Sequence, residues 1–176
     1  PLIRLWGFYK NDSKKIPNNE EINQTRQKVN YQNIEIQDKK VRIGKDQEII
    51  SGSFIKAFAA DMLISKLKDN HINEALINAG GSTIISFSYH NLPWKVNSPH
   101  PFKIKEKAGS IELINSSFSL SARSENYKII EGKRYSHILN AITGHPTENI
   151  QCGVLCKSAF ISDILSTALC AADELS

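Results

Sequence analysis

Along this 176-residue chain, the spacing of apolar residues is mostly that of strands and becomes that of a helix in two segments. Most apolar residues lie in short segments that alternate with polar neighbours, a spacing typical of half-buried strands. Residues 54–67 are instead apolar over most of a helical circumference, as in a helix that packs on a sheet. A second helical segment follows Ser158, whose hydroxyl can cap it. We therefore predict an α+β fold, a mostly antiparallel sheet flanked by long helices.

Turn residues divide the remaining chain into short elements. Asp38–Lys40 lies between two alternating segments and predicts a hairpin, and Glu131–Gly132 predicts a second one. A polar turn precedes Pro17, and Asn18 or Asn19 can cap a short helix after it. Further strands are predicted at residues 48–50, 74–77, 84–87, 94–97, 110–115, 117–121 and 151–156.

Composition narrows the class of protein. With 40% hydrophobic and 23% charged residues, the chain has the balance of a folded globular domain. Its length predicts a single domain over residues 1–176. The net charge of +4 comes from scattered basic residues, which argues against a nucleic-acid partner. No apolar run approaches the 18 or so residues of a membrane span.

The three cysteines, Cys152, Cys156 and Cys170, do not form a disulfide framework or the usual zinc-binding spacing. Cys152 and Cys156 alternate with Val154 at strand spacing, which predicts buried structural thiols. The sequence begins at Pro1 and shows no secretory signal peptide, an observation that says little about compartment.

Two stretches are suited to holding an anion. Asn78-Ala79-Gly80-Gly81-Ser82 follows a predicted strand, and paired glycines let the backbone approach a ligand closely. The alternative is a plain turn between strands. Gly52-Ser53 precedes the first long helix, where free N–H groups favour an anion that Lys56 can reach. The alternative there is an exposed helical lysine.

Two other stretches carry groups that can do chemistry. Asp163 and Thr167 are four residues apart on the last helix and therefore face the same way, a hard-oxygen pair suited to magnesium. The alternative is an Asp that complements the helix dipole and a Thr bonded to a backbone carbonyl. Residues 135–146 contain His137 and His145, and a histidine can act as a base or bind phosphate. The alternative is a histidine with a purely structural partner.

Taken in order, these stretches resemble the ApbE family of FAD:protein FMN transferases. Residues 50–61 resemble the family pattern D-x-G-G/A-I-A-K-G-Y-A-x-D, and Asn78–Ser82 resembles N-A-G-G-D. Residues 135–146 resemble Y-S-H-I-I-D-P-x-T-G-x-P, and residues 162–169 resemble A-D-A-L-S-T-A-L. The remaining matches are Trp94, Val96 and Pro99 in a tryptophan strand, residues 123–127 with T-S-G-D-Y, and the opening residues 1–8.

The resemblance implies an ApbE-like (T-fold-like) architecture and a magnesium-dependent activity. In that activity FMN passes from FAD to a threonine hydroxyl of an acceptor flavoprotein, and AMP is released. The implied metal ligands are Asp163, Thr167 and a backbone carbonyl near Ser53. His137 is implied at the reacting phosphate, as a base or hydrogen-bond donor. The implied FAD-binding residues are Lys56, Asn78, Ala79, Gly80 and Gly81, with Thr143 and Gly144 in a nucleotide-side loop.

Several positions depart from the family pattern. Ile50 and Ser82 each stand where the family has Asp, and Asn140-Ala141 replaces Asp-Pro, which removes a charge and a rigid turn. Arg123 and Glu125 replace Thr and Gly. Family members also carry an additional N-terminal third. We therefore expect an incomplete domain with weakened transfer, and keep three alternatives: an FAD pyrophosphatase, a non-catalytic flavin-binding protein, or a piece that folds only with the missing part. The resemblance implies the bacterial cell envelope or periplasm, and a cytoplasmic location stays possible.

Overall fold

The computed structural model describes residues 1–8, 15–103 and 105–172. Most of the polar turn predicted before Pro17 lies outside these residues. The helices are α1 Leu2–Leu5, α2 Asn19–Arg26, α3 Ile55–Asp69 and α4 Ala159–Ala171, with 3₁₀ turns at Tyr31–Asn33 and Ser51–Ser53. The strands are β1 Glu35–Gln37, β2 Lys40–Arg42, β3 Glu74–Asn78, β4 Thr83–Ser88, β5 Trp94–Pro99, β6 Lys107–Leu113, β7 Ser117–Ala122, β8 Tyr127–Ile130, β9 Lys133–Ser136 and β10 Gln151–Cys156.

The central sheet has four strands in the order β10-β7-β4-β3, and all of its pairings are antiparallel. Three separate hairpins, β1–β2, β5–β6 and β8–β9, complete the described strands. Asp38 and Lys39 both have positive φ, as the tight two-residue turn of the first hairpin requires. The predicted α+β class is confirmed, with one central sheet and additional hairpins in place of a single larger sheet.

Helices α3 and α4 pack on one face of the central sheet. Ala57, Ala60 and Ile64 of α3 are buried against Ile85 and Phe87 of β4. The hairpin β5–β6 forms a second hydrophobic cluster with the opposite face. Its buried members are Val96, Leu113, Phe118 and Leu120. The prediction that the first long helix packs on a sheet is therefore confirmed, although several of its apolar side chains stay exposed.

The start of α4 is fixed by two helix caps. The Ser158 hydroxyl accepts a hydrogen bond from the Ile161 N–H at 3.2 Å, which confirms the predicted cap. Asp61 of α3 accepts hydrogen bonds from the N–H groups of Ala159 and Phe160 and from the Ser158 hydroxyl. A carboxylate at a helix N-terminus satisfies unpaired N–H groups and complements the helix dipole. Asp61 therefore ties α3 to the helix that carries Asp163 and Thr167.

One strand prediction is wrong. Residues 48–50 are not part of a strand, and a 3₁₀ turn follows them directly at Ser51–Ser53. The Glu48 side chain pairs with Arg4 of the N-terminal helix. An extended apolar segment becomes a strand only where a neighbouring strand pairs with it, and no described strand does so here.

All three cysteines are free thiols. Cys170 is fully buried, and burial raises the pKa of its thiol to about 12. Cys152 borders Cys170, and together with Cys156 it lies half-buried on one side of β10. The prediction of buried thiols therefore holds fully for Cys170 and only partly for the other two.

Candidate functional site

A cleft opens where the N-terminal segment, the start of α3, the end of β7 and α4 meet. Its cavity of about 710 Å³ lies within the size range of small-molecule sites. The cleft brings together residues that are far apart in the sequence and that the sequence analysis singled out. These are Ser53, Lys56, His137, Asp163 and Thr167.

Asp163 lies on the inward face of α4, at the back of the cleft, and only 9% of it is exposed. Burial raises the pKa of its carboxyl group, while the Thr83 hydroxyl and the nearby Lys56 ammonium lower that pKa. A buried carboxylate needs such partners, because an unpaired buried charge is costly. One hydroxyl group and one cation therefore favour the charged form of this side chain.

Thr167 lies one turn further along α4 and also lines the cleft. Its hydroxyl is 3.2 Å from the Ser121 hydroxyl of β7. Ser121 in turn lies 2.9 Å from Ser166, which donates to the backbone carbonyl of Asp163 at 3.0 Å. The predicted i, i+4 arrangement of Asp163 and Thr167 on one face is thus present, and both side chains are held by groups at the sheet–helix interface.

The oxygen donors fit one kind of metal ion. Within the described residues, no group of three or more His, Cys, Asp or Glu side chains is arranged to hold a metal. The oxygen donors that the cleft offers a cation include the Asp163 and Glu125 carboxylates, the Thr167 hydroxyl and the backbone near Ser53. Mg²⁺ is commonly bound in this way, by one or two carboxylates with waters and substrate phosphates. The donor set fits a magnesium ion that is bound together with a phosphate group.

Lys56 is packed against the glycine loop. A Cβ atom added at Gly80 would lie 2.7 Å from Lys56 Nζ, and Gly80 has a φ of +80°. This backbone conformation favours glycine. The Asn78 side chain accepts a hydrogen bond from the Gly81 N–H at 2.7 Å and closes the loop. Of the residues of this loop, Ser82 lines the cleft, whereas Asn78, Ala79, Gly80 and Gly81 are not among its lining residues.

His137 is fixed in one orientation by the backbone of Asn126. The Asn126 carbonyl lies 2.8 Å from His137 Nδ1 and also accepts from the His137 N–H. Because a carbonyl only accepts, Nδ1 carries a proton and Nε2 keeps its lone pair in the neutral ring. Burial lowers the pKa of His137, and the backbone hydrogen bond partly offsets this. The ring is therefore held neutral with one nitrogen able to accept a proton.

Thr143 and Gly144 lie outside the cleft lining, on the loop that follows Leu139. The Asn140 side chain accepts from the Thr143 N–H at 2.9 Å and builds the turn. The Gly144 carbonyl accepts from Trp6 Nε1 at 2.9 Å. The expectation that Asn140-Ala141 loses the turn is therefore wrong, because the Asn140 amide oxygen, at the position of the family's Asp, accepts the hydrogen bonds that close it. A contact of this loop with a nucleotide stays a prediction.

Sequence reasoning missed two residues of the site. In the sequence Glu125 is only a departure from the family pattern, yet it lines the cleft near Lys56 and Asp163. Removal from water raises the pKa of Glu125, Lys56 lowers it and Asp163 raises it further. Thr83 was placed only next to a predicted strand. No local signal identifies either residue, because their roles depend on contacts made across the fold.

Comparison with known proteins gives one consistent result. The model of the ApbE family matches residues 1–175. The FAD:protein FMN transferase of Escherichia coli K12 is 27% identical over 179 residues, covering 96% of this chain and 51% of that protein. The Buchnera aphidicola protein of the same name is 31% identical over 178 residues, covering 96% and 52%. The chain thus spans about half the length of the curated relatives it matches.

Solved structures show the same fold. The ApbE protein of Thermotoga maritima has a TM-score of 0.87 at 26% identity, covering 97% of this chain and 57% of that one. The apo form of the Pseudomonas stutzeri flavinyl transferase ApbE has a TM-score of 0.81 at 27% identity, covering 97% and 54%.

No helix in the described part of the chain is long and apolar enough to cross a membrane.

Proposed function

The chain belongs to the ApbE family, and from this premise we propose that it takes part in transferring FMN from FAD to an acceptor protein. The observation that carries the proposal is the convergence of Asp163, Thr167, Lys56 and His137 on one cleft. These groups come from two helices and a loop, and together they offer hard oxygens, a cation and a base. A diphosphate with a nearby hydroxyl nucleophile needs this combination.

The proposed reaction balances as follows. The hydroxyl oxygen of an acceptor threonine bonds to the phosphorus of the FMN part of FAD. The bond from that phosphorus to the bridging oxygen breaks, and AMP leaves with the oxygen. The threonine proton passes to a base. The product is FMN joined to the acceptor protein through a phosphoester.

Each cleft residue has a proposed task in that step. His137 Nε2 accepts the proton from the threonine, since Nδ1 is committed to the Asn126 carbonyl. Lys56 places positive charge beside the diphosphate. Asp163 and Thr167, with a carbonyl near Ser53, would hold Mg²⁺, which when bound neutralises phosphate charge and favours phosphoryl transfer. The absence of a side chain at Gly80 leaves room for the Lys56 ammonium.

One observation favours a second candidate function. Ile50 and Ser82, which stand where the family pattern has Asp, both line the cleft. A cleft that lacks those carboxylates has fewer groups to accept hydrogen bonds from FAD. We therefore keep weakened transfer, FAD hydrolysis and flavin binding without chemistry as distinguishable outcomes. The envelope location stays a prediction.

The test is a titration of the chain with FAD, with and without Mg²⁺, following flavin fluorescence and released AMP, with a threonine-containing acceptor peptide present or absent. Peptide-dependent AMP release with flavin bound to the peptide supports transfer. AMP release without peptide labelling supports the pyrophosphatase, and binding without AMP supports the non-catalytic alternative. Asp163→Ala should remove Mg²⁺-dependent binding, whereas the exposed carboxylate variant Asp69→Ala should not. Wild-type chain that neither binds nor cleaves FAD would contradict the proposal for this chain.

A further inference from the structure

The β8–β9 hairpin begins and ends at the cleft. Asn126 directly precedes β8 and His137 directly follows β9, and both line the cleft. The Asn126 carbonyl joins the two ends of the hairpin through its contacts with His137. Each strand has four residues, so at about 3.3 Å per residue the hairpin extends about 13 Å from His137. The hairpin is therefore continuous with the place where the proposed reaction occurs.

The hairpin is basic. Residues 127–136 contain three cations and one carboxylate, which leaves a net charge of +2. The cations are Lys128, Lys133 and Arg134, and the carboxylate is Glu131 at the turn. Lys133 and Arg134 are exposed, and no ion pair among the described residues involves either of them. The hairpin therefore presents positive charge that no ion pair neutralises.

Aromatic rings orient two of these cations. The Arg134 guanidinium carbon is 4.6 Å from the centre of the Tyr127 ring. Lys128 Nζ is 5.9 Å from the centre of the Phe8 ring, which lines the cleft and contacts the ring of His137. A cation–π contact orients a cation, but the neutral ring leaves its charge in place. Positive charge therefore extends from the turn of the hairpin to the edge of the cleft.

One face of the hairpin is also apolar. Tyr127 and Ile129 alternate along β8, and Arg134 lies opposite Ile129, so the three side chains share a face. Ile129 is 59% exposed and Tyr127 is 38% exposed. Aromatic and arginine side chains are enriched at protein interfaces, where an apolar centre is bordered by polar groups. This face therefore has the composition of a surface that binds another protein.

We propose that the β8–β9 hairpin docks the acceptor protein by binding an extended, acidic segment beside its target threonine. The inference rests on the proposed function, because a threonine of another protein must then reach His137. Opposite charges on the two surfaces would speed the encounter and exclude wrong partners. Since an extended segment rises about 3.3 Å per residue, its acidic side chains would lie within about four residues of the threonine. A short hairpin with an apolar centre fits such a segment better than a nucleic acid, which needs a longer basic stripe.

The test measures peptide binding to the whole 176-residue chain by fluorescence anisotropy, without FAD or metal. The main probe is a labelled peptide with three aspartates within about four residues of its threonine. A second peptide carries asparagines at those positions, a third moves the aspartates at least about ten residues away, beyond the reach of the hairpin, and a fourth carries lysines. A single-stranded DNA oligonucleotide of the same charge as the main probe tests the nucleic-acid alternative.

Two double variants carry the same change of charge. The hairpin variant is Lys133→Glu with Arg134→Glu. Its matched control is Lys40→Glu with Lys45→Glu, at two exposed lysines of the β1–β2 region. Circular dichroism checks that each variant folds. If the hairpin variant does not fold, Lys133→Gln with Arg134→Gln replaces it and should show a smaller loss.

We expect the main probe to bind more tightly than the other three peptides and the oligonucleotide. Its affinity should fall about tenfold in the hairpin variant, which loses two attractions and gains two repulsions, and less than about twofold in the control. The lysine peptide should bind the hairpin variant better than it binds the wild type. In the transfer assay, the hairpin variant should raise KM for the main probe and leave its kcat unchanged.

Three results would overturn the proposal: equal binding of the acidic and asparagine peptides, equal losses in the two double variants, or tighter binding of the oligonucleotide. The binding assay also separates this inference from the proposed function. Binding that depends on the hairpin, in a chain that transfers no FMN, would support the docking surface and contradict the transfer. Transfer to all peptides with one KM would support the transfer and contradict the docking surface.

Discussion

Strand β7 has two buried faces of opposite chemistry. Phe118 and Leu120 face the β5–β6 hairpin and join a hydrocarbon cluster. Ser117, Ser119 and Ser121 face α4 and meet its serines through hydroxyl contacts of 2.7–2.9 Å. Both faces are equally shielded from water. The two faces therefore have different roles: the hydrocarbon face supports stability, and the hydroxyl face holds the groups that line the cleft.

In helix α4 the polar side is buried and the apolar side is exposed. Its buried residues are Ala159, Ser162, Asp163, Ser166 and Cys170, mostly small or polar. Its exposed residues include Ile161, Leu165 and Leu169. An ordinary surface helix buries its apolar stripe and exposes its polar one. Apolar burial alone therefore does not explain which side of α4 packs on the sheet. The Asp61 cap and the hydroxyl contacts also determine it.

The largest effect should come from the hydrocarbon face of β7. Phe118→Ala removes a ring that is 8% exposed and contacts the β5–β6 cluster. We expect the free energy of unfolding to fall by about 3–5 kcal/mol, through lost burial and the cavity left behind. Urea denaturation followed by circular dichroism measures it. Phe102→Ala, at an exposed aromatic, is the control and should change stability by less than about 0.5 kcal/mol. A loss in Phe118→Ala no larger than that in Phe102→Ala would contradict the stability assigned to the hydrocarbon face.

The second effect tests what holds α4 inward. Asp61→Ala removes the acceptor of three hydrogen bonds at the start of the helix. We expect a loss of about 2–3 kcal/mol in the free energy of unfolding, since a charged cap is worth more than a neutral one. Asp61→Asn keeps one acceptor oxygen and should lose less. A stability unchanged by Asp61→Ala would mean that the hydroxyl contacts alone fix the helix.

The contrast on β7 also shows what the sequence could predict. The segment Ser117–Ala122 alternates strictly, and the strand predicted from it is confirmed. Alternation alone is typical of a strand with one wet face, because it records polarity and not what covers each face. The hydroxyl network depends on α4 crossing that face, and such a crossing is set by the fold as a whole. Periodicity therefore predicted the strand, but it did not predict the buried hydroxyl contacts between β7 and α4.

The site divides in the same way. Asp163 and Thr167 were predicted on one helix face because their spacing is local, and both line the cleft. Glu125 and Thr83 were missed because they approach Asp163 from other parts of the fold. The replacement of Asp-Pro by Asn140-Ala141 suggested a lost turn, whereas the turn is present and the Asn140 side chain accepts from its backbone N–H groups. Chemistry carried by a local spacing was predictable, and chemistry assembled across the fold was not.

A third effect measures the stability carried by the hydroxyl face. Ser119→Ala removes the hydroxyl between Ser162 and Thr83. We expect a loss of about 1–2 kcal/mol, because the partners become unsatisfied in a buried position. Ser110→Ala, at an exposed serine that bonds Asn97, is the control and should be nearly neutral. A loss as large as that of Phe118→Ala would contradict the smaller share of stability assigned to this face.

The smallest effect is expected on the outer face of α4. Leu165 is 44% exposed, so Leu165→Gln removes little buried apolar surface. We expect a change of less than about 1 kcal/mol in the free energy of unfolding. Exposed apolar groups that lie together promote association, so light scattering should also show less self-association in the variant. If Leu165→Gln instead cost as much as a core leucine, about 2–5 kcal/mol, the outer face would be covered in solution. Both sides of α4 would then be shielded from water, and the contrast between its buried polar side and its exposed apolar side would not hold in solution.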